Sequence, residues 1–563
     1  MGEVAVEQRP WLKFYEPGVP HTLSYPNIPL TELLEESVAR YPNHPATVFF
    51  GQTMTFQQLH THAGRFAAAC TRLGVRPGDR VALHLPNCPQ FLIAYYGALR
   101  AGAIVVPFNP LYVEREIEFQ LQDSGAEVAV TLDLIYPRLA EVRGRTKVRE
   151  IVVTGINDFF PPLLRLLYPL KARREGHLVR VPRARDIHRF TDLLSTPADG
   201  APAAADPSSV AVLLYTGGTT GVPKGAVLTH RNLVCNVLQS RSWFTQLKPG
   251  HDTAVAVIPF FHSYGMTSAM NFAVSTATRL VLIPRFQLDM VLKAIAKYRP
   301  KVFPGVPTIY TAIINAPDVS RYDLRSIQAC ISGAAPLPVE VQSRFESLTG
   351  GRLCEGYGLT ESSPVTHANP ISGTRKVGSI GIPFPDTDAR IVDLETGTRT
   401  LAHGEVGELV IAGPQVMQEY WHKPAETAQV LRNGWLYTGD MARMDDDGYF
   451  YIVDRKKEMV ITGGLNVFPR EVEEALYTHP AVMEAAAIGV PDAYRGEVVK
   501  AFVVLKPGAQ ATADEIIGHC RKLIAPFKVP KAVEFRTQLP KSLIGKILRR
   551  VLAEEERARA GAR

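Results

Sequence analysis

Residues Tyr215–Gly225 read YTGGTTGVPKG, and the run Val210–Tyr215 leading into them reads VAVLLY. The apolar, β-branched run predicts a buried strand that ends at a turn. In that turn Gly217, Gly218 and Gly221 let backbone amides approach an anion closely, because no Cβ stands in the way. Thr216, Thr219 and Thr220 add hydroxyl donors, and Lys224 adds a compact positive charge. Glycine-rich turns after strands are common; the density of Gly, Thr and Lys in one turn is what points to phosphate. A P-loop is excluded. It needs Gly-Lys-Ser/Thr opening a helix, whereas Pro223 precedes Lys224 and Gly225 follows it.

Outward from this loop, helical and strand patterns alternate between Thr31 and Leu132. FQQLHTHAGRFAAACTRLG (Phe56–Gly74) repeats apolar residues at helical spacing and stops on glycine, and RVALHLP follows as a strand. FLIAYYGALRAG then AIVVPFNP, and EIEFQLQDSG then AEVAVTL, repeat the unit. Such alternation predicts a parallel sheet covered on both faces. Residues 157–189 break the rhythm: NDFFPPLLRLLYPL is apolar and proline-rich, and KARREGHLVRVPRARDIHR carries seven Lys/Arg. The prolines argue against a long amphipathic helix here. Ser195–Ser209 reads as an Ala/Pro-rich connector. The αβ rhythm resumes from Val210 to Val392, and the chain is β-rich from Arg390. MARMDDDGYFYIVD (Met441–Asp454) predicts two strands joined by an Asp/Gly turn. A small α+β unit follows, with PREVEEAL opening a helix on Pro469. The end, AEEERARAGAR, reads as a frayed tail.

The 563 residues, 46% hydrophobic and 21% charged, describe a folded multidomain chain, and the net charge of +7 is too mild to imply nucleic acid. Cys70, Cys88, Cys235, Cys330, Cys354 and Cys520 form no C-x-x-C pair, which excludes zinc-ribbon and thioredoxin-like readings. No apolar run reaches the ~18 residues a spanning helix needs. The expectation is a reduced, cytoplasmic protein.

The loop resembles the signature of the adenylate-forming enzymes, which include acyl-CoA synthetases, luciferases and nonribosomal adenylation domains. Gly217 stands where that signature usually has serine, a variant common among long-chain fatty acid–CoA ligases. Further stretches resemble the family's motifs in order: VIPFFHSYGM (Val257–Met266), ISGAAPL (Ile331–Leu337), EGYGLTES (Glu355–Ser362), the run Asn433–Pro469, and LPKSLIGKILRR (Leu539–Arg550).

The resemblance implies an α/β fold: a large N-terminal part of stacked αβ sheets with a β-rich subdomain, residues 1–454, and a small mobile α+β domain, residues 455–563, turning about Asp454. It implies ATP, Mg²⁺ and coenzyme A, with a fatty acid as the acid activated. Thr216 and Glu361 would hold Mg²⁺. Lys224 and Thr360 would bind phosphate, and Lys546 would stabilise the adenylation transition state. Gly333, Ala334, Ala335, Glu355, Gly356, Tyr357 and Gly358 would bound the adenine. Asp440, Ile452 and Arg455 would hold the ribose, and Gly463 and Gly464 would line the coenzyme A tunnel. Phe260, His262, Tyr264, Gly265 and Gly333 would border the acyl pocket; a histidine among aromatics is as readily plain packing. An anion attacking an anionic phosphate needs cations and fixed donors more than acid–base groups. Three alternatives stand: a ligase for aryl or branched acids, an acyl-AMP ligase feeding a carrier protein, and a non-catalytic lipid-binding protein on the same fold. A homodimer and a peripheral membrane contact through residues 157–189 are left open.

Overall fold

The computed structural model describes residues 9–176, 178–195, 197, 205–216, 222–455, 458–462, 465–492, 494–542 and 545–561. The alternation in the first half folds as expected. The first sheet runs, edge to edge, Ile187–Arg189, Glu150–Thr154, Val128–Leu132, Arg80–His84, Ile104–Pro107, Val210–Thr216 and Lys224–Thr229. Its strands are parallel except the last, which returns antiparallel with Thr216 opposite Lys224. The loop that opened the sequence reading therefore joins two antiparallel strands, and no helix begins at it.

Local chemistry sets the helix ends. Phe56–Arg72 starts at Thr55, whose hydroxyl accepts the Gln58 amide at 3.2 Å while the Gln58 side chain accepts the Thr55 amide at 2.9 Å. Pro89–Arg100 is apolar all round, and every residue of it except Arg100 is buried. It packs so closely on Phe56–Arg72 that a Cβ on Gly97 would lie 2.8 Å from the Ala63 carbonyl.

A second sheet sets Thr253–Ala256, Arg279–Leu282 and Pro45–Phe49 in parallel. Through bridges at Val302 it reaches the parallel pair Ala329–Ser332 and Arg352–Gly358. The first of these strands ends with Ser332 opposite Glu355, and the second runs three residues further, to Gly358. The β-rich part is an antiparallel sheet of Asp388–Val392, Gly407–Ala412, Trp435–Met444, Leu431–Arg432 and Phe450–Arg455. The chain from Val460 onward builds a separate sheet from Leu465–Val467, Val460–Thr462, Gly496–Leu505, Val482–Asp492 and Ala532–Phe535, backed by the helices Pro469–Tyr477 and Ala513–Arg521. That sheet has its own core, including Val472, Leu476, Val503 and Ile516.

Two expectations fail. The supposed frayed tail is a helix, Arg549–Gly561, anchored by buried Leu552 and by ion pairs of Glu555 to Arg536, Glu556 to Lys500 and Arg559 to Glu534. A charge-rich end looks solvated in sequence, and here its charges find partners on the sheet. Residues 162–174 also form a helix despite their prolines, with Pro162 in the first turn and Pro169 inside. The six cysteines are all free and buried, as expected. Among the described residues, no helix is long and apolar enough to cross a membrane.

Candidate active site

The antiparallel return of the first sheet sets Thr216 and Lys224 across from each other at the mouth of the loop. Gly217, Gly218, Thr219, Thr220 and Gly221 lie outside the described residues, as do Gly463 and Gly464. Beside Lys224–Thr229 runs the segment Gln418–Trp421, which exchanges backbone hydrogen bonds with Gly225 and Val227. This brings the Tyr420 ring under the Lys224 ammonium, 5.2 Å from it. The Tyr420 hydroxyl donates to Glu361 at 2.6 Å. Burial, and then the Glu361 charge, hold that phenol protonated well above its ordinary range. One tyrosine thus sets the spacing of a cation and a carboxylate supplied by distant parts of the chain.

Glu361 sits in the short helical turn Thr360–Ser362, which follows the strand Arg352–Gly358. Gly358 has to be glycine: an added Cβ would meet the Pro364 carbonyl at 2.0 Å. Gly356 is also confined, with Ile331 at 2.7 Å from such a Cβ. The Thr360 and Ser263 hydroxyls lie 3.4 Å apart.

From the same strand, Tyr357 donates to Asp440 at 2.6 Å, and Asp440 pairs with Arg455 at 3.2 Å. Asp440 and Arg455 face each other across the hairpin predicted from its Asp/Gly turn. Asp440 is buried, and its charge, more than any other cause, raises the Arg455 guanidinium above its usual range. The neighbouring Ile452 offers its carbonyl to Arg470 at 2.9 Å. Glu355 is buried, which pushes its carboxyl up to about 7 against the pull of Arg470. A hydrogen bond from the Leu337 backbone also favours its charged form.

Gly333, Ala334 and Ala335 form the turn after Ala329–Ser332, and Ala334 holds φ at +65°. A Cβ on Gly333 would stand 3.2 Å from the Tyr264 ring. Tyr264 donates to the Ile331 carbonyl at 2.5 Å, which ties the aromatic motif to this strand. Gly265 admits no side chain, since Pro259 O would be 2.1 Å away. Phe260 is wholly buried against Phe91, in the core beneath the motif. His262 is partly exposed, and burial followed by repulsion from Lys546 pushes its imidazole down to about 4, so it is neutral.

Lys546 arrives from the C-terminal unit on a tight turn in which its amide bonds the Ser542 hydroxyl and its carbonyl accepts the Ser542 amide. Burial, then Arg455, lower its ammonium to about 8, while Asp440 and Glu458 pull the other way. Its neighbour Gly545 has φ of +72° and touches the large part of the chain: a Cβ there would overlap Thr308 Oγ1 at 2.1 Å. Behind the turn, Arg549 holds Glu473 through both ends of its guanidinium, at 2.8 and 2.6 Å, and also reaches Glu458 at 2.5 Å and Asp454 at 3.1 Å.

Sequence reasoning brought these groups to one place but missed three. Tyr420 has no motif of its own. Gly545 was visible only as part of the Gly-Lys pattern. Arg549 reads as one basic residue among several.

The donors fit the expected ligands. Lys224, Arg455 and Lys546 gather positive charge, and the buried Ser332 hydroxyl, at the strand end just before the turn where a nucleotide edge would lie, has no hydrogen-bond partner. Among the described residues no cluster of three or more His, Cys, Asp or Glu could hold a metal. Glu361 and Thr216 would therefore hold Mg²⁺ only together with phosphate oxygens and water, which suits that ion.

A large α/β part with a small C-terminal unit that delivers a lysine beside Arg455, Asp440 and His262 defines an adenylate-forming enzyme. The chain belongs to the AMP-binding enzyme family, whose profile matches residues 34–421, with the AMP-binding enzyme C-terminal domain matching residues 471–546. The long-chain-fatty-acid–CoA ligase of Bacillus subtilis is 49% identical over 558 residues, covering 98% of each chain. The ligase of the same name from Yersinia pestis is 40% identical over 556 residues, again 98% of each. An anthranilate CoA ligase, AuaEII, solved with anthranoyl-AMP, superposes with a TM-score of 0.85 at 29% identity, over 95% of this chain and 98% of its own.

Proposed function

We propose that the chain is an AMP-forming long-chain fatty acid–CoA ligase. In the first step a fatty carboxylate attacks the α-phosphorus of ATP, giving acyl-AMP and releasing pyrophosphate. In the second the thiol of coenzyme A attacks the acyl carbon, giving the thioester and releasing AMP. The observation that carries the reading is the meeting of Lys546 with Arg455 and Asp440, where Glu361 also lies within electrostatic reach of Arg455. The names of the full-length relatives support the acid and the thiol.

In this reading Lys224 and Thr360 hold phosphate, and Asp440 accepts from the ribose hydroxyls while Arg455 braces it. Lys546 sits on the oxygens where charge gathers between the two anions. Mg²⁺, held by Glu361 and Thr216, would neutralise phosphate charge. Neutral His262 borders the acyl pocket with Tyr264 and Gly265, and the second step calls for residues 455–563 to turn about Asp454, withdrawing Lys546 so that the thiol can approach. Pyrophosphate release with oleate, run with and without coenzyme A, tests the reading. Acyl-CoA should form only when both are present. Turnover without a coenzyme A ester points to a carrier-linked enzyme, and no turnover with any acid points to a binding protein.

A further inference from the structure

The helix Pro162–Arg174 is turned inside out relative to a helix that packs on its own protein. It is held through Tyr168, whose ring stands 5.5 Å edge-on to Phe160, and through buried Ala172 one turn later. Leu163, Leu166, Leu167 and Leu170, at i, i+3, i+4 and i+7, occupy the opposite side, where the protein does not reach. Leu163 is 68% exposed, Leu166 74% and Leu170 68%. The apolar face continues through Phe160 to exposed Phe50, whose ring is 4.5 Å from it, and exposed Leu178 follows the helix. A leucine stripe left in water is costly, and so marks a surface that something covers.

The charge beside it says what. Residues 162–189 hold eight Lys/Arg and two Asp/Glu, a net of +6 against +7 for the whole chain. Lys171, Arg173, Arg174, Arg180, Arg183 and Arg185 are all exposed. A protein partner of ordinary composition has no need of both a bare leucine stripe and a dense cationic flank. A membrane surface rich in anionic phospholipid offers acyl chains to the first and phosphates to the second. We propose that this helix, with Phe50 and the basic run behind it, docks the protein on an anionic lipid bilayer. The docking is independent of the ligase reading, although it would set such an enzyme where long acyl chains partition.

Flotation of the full chain with phosphatidylglycerol-rich vesicles, beside pure phosphatidylcholine vesicles, tests the proposal. The wild type should float with the anionic vesicles and lose binding in high salt. The combined change Leu163→Ser, Leu166→Ser, Leu167→Ser, Leu170→Ser should cut binding by at least ~10-fold, and so should Lys171→Gln, Arg173→Gln, Arg174→Gln. These side chains are exposed, so both variants should keep the wild-type melting curve and the wild-type rate on a water-soluble short-chain acid. That rate also separates a failed docking site from a failed ligase reading. No flotation of the wild type, or equal flotation of the leucine variant, overturns the proposal. So does a leucine variant that only turns a self-associated wild type into monomers, because the face would then belong to a second copy.

Discussion

Replacing Lys546 by alanine should make the protein slower and more stable at once. Lowering its ammonium from 10.5 to about 8 costs about 3 kcal/mol at ~1.4 kcal/mol per unit. That cost is present in full below the folded value, where both folded and unfolded chains carry the proton. It fades as pH rises from about 8 toward 10.5, where the folded chain sheds the proton first. At pH 7 Lys546→Ala should therefore unfold at a higher denaturant midpoint than the wild type, and the gap should shrink above pH 8. The same desolvated charge is what an anionic transition state would engage. Its loss should lower acyl-AMP formation by about 10²–10³-fold, read as pyrophosphate release without coenzyme A. Conversion of supplied acyl-AMP to the thioester should stay near wild type. In the wild type, kcat/KM for adenylation should fall as pH rises through about 8, and Lys546→Arg should remove that fall, since arginine keeps its proton. Equal loss of both half-reactions, or a less stable Lys546→Ala, would refute the assignment.

Gly545→Ala forces a left-handed residue and a clash with Thr308. It should lower adenylation ~10-fold or more through about 1–2 kcal/mol of strain, with conversion of supplied acyl-AMP spared, as paired half-reaction assays would show. Tyr420→Phe removes the donor to Glu361 and should raise the Mg²⁺ concentration needed for half-maximal pyrophosphate release by ~3–10-fold, from a loss of about 1 kcal/mol. Arg549→Ala strands three carboxylates and should destabilise the fold by about 3–5 kcal/mol at pH 7. Burial already raises Asp454 and Glu473, so the folded variant should take up protons more readily than the unfolded chain. Its stability deficit should narrow as pH falls, in denaturant melts at stepped pH.

The architecture was legible where local and long-range signals agree. Gly74, Gly102 and Gly125 after their helices marked ends that the fold keeps, and the Asp/Gly turn set Asp440 against Arg455. The site was legible where its residues cluster in motifs. Tyr420 was not, because its partner Glu361 is 59 positions away and only the pairing of Gln418–Trp421 on Lys224–Thr229 brings them together. Phe260 shares a motif with His262, but it lies in a turn that buries its ring against Phe91. The last helix was hidden because alternating charge looks the same whether water or a facing sheet receives it. In Pro162–Arg174 the prolines read as breakers, yet Pro162 lies in the first turn, where a helix needs no amide hydrogen.

Arg549 lies three residues beyond Lys546, at the start of the final helix. Of the carboxylates it grips, Glu458 and Glu473 belong to the C-terminal unit, while Asp454 is the residue about which we propose that unit turns. The lysine's position and the pivot's fastening are therefore one mechanical setting. If that unit turns as proposed, moving the lysine away would have to strain or release the Arg549–Asp454 contact. Turnover would then have to undo that fastening once per cycle, with the charge on one aspartate setting how firmly it holds.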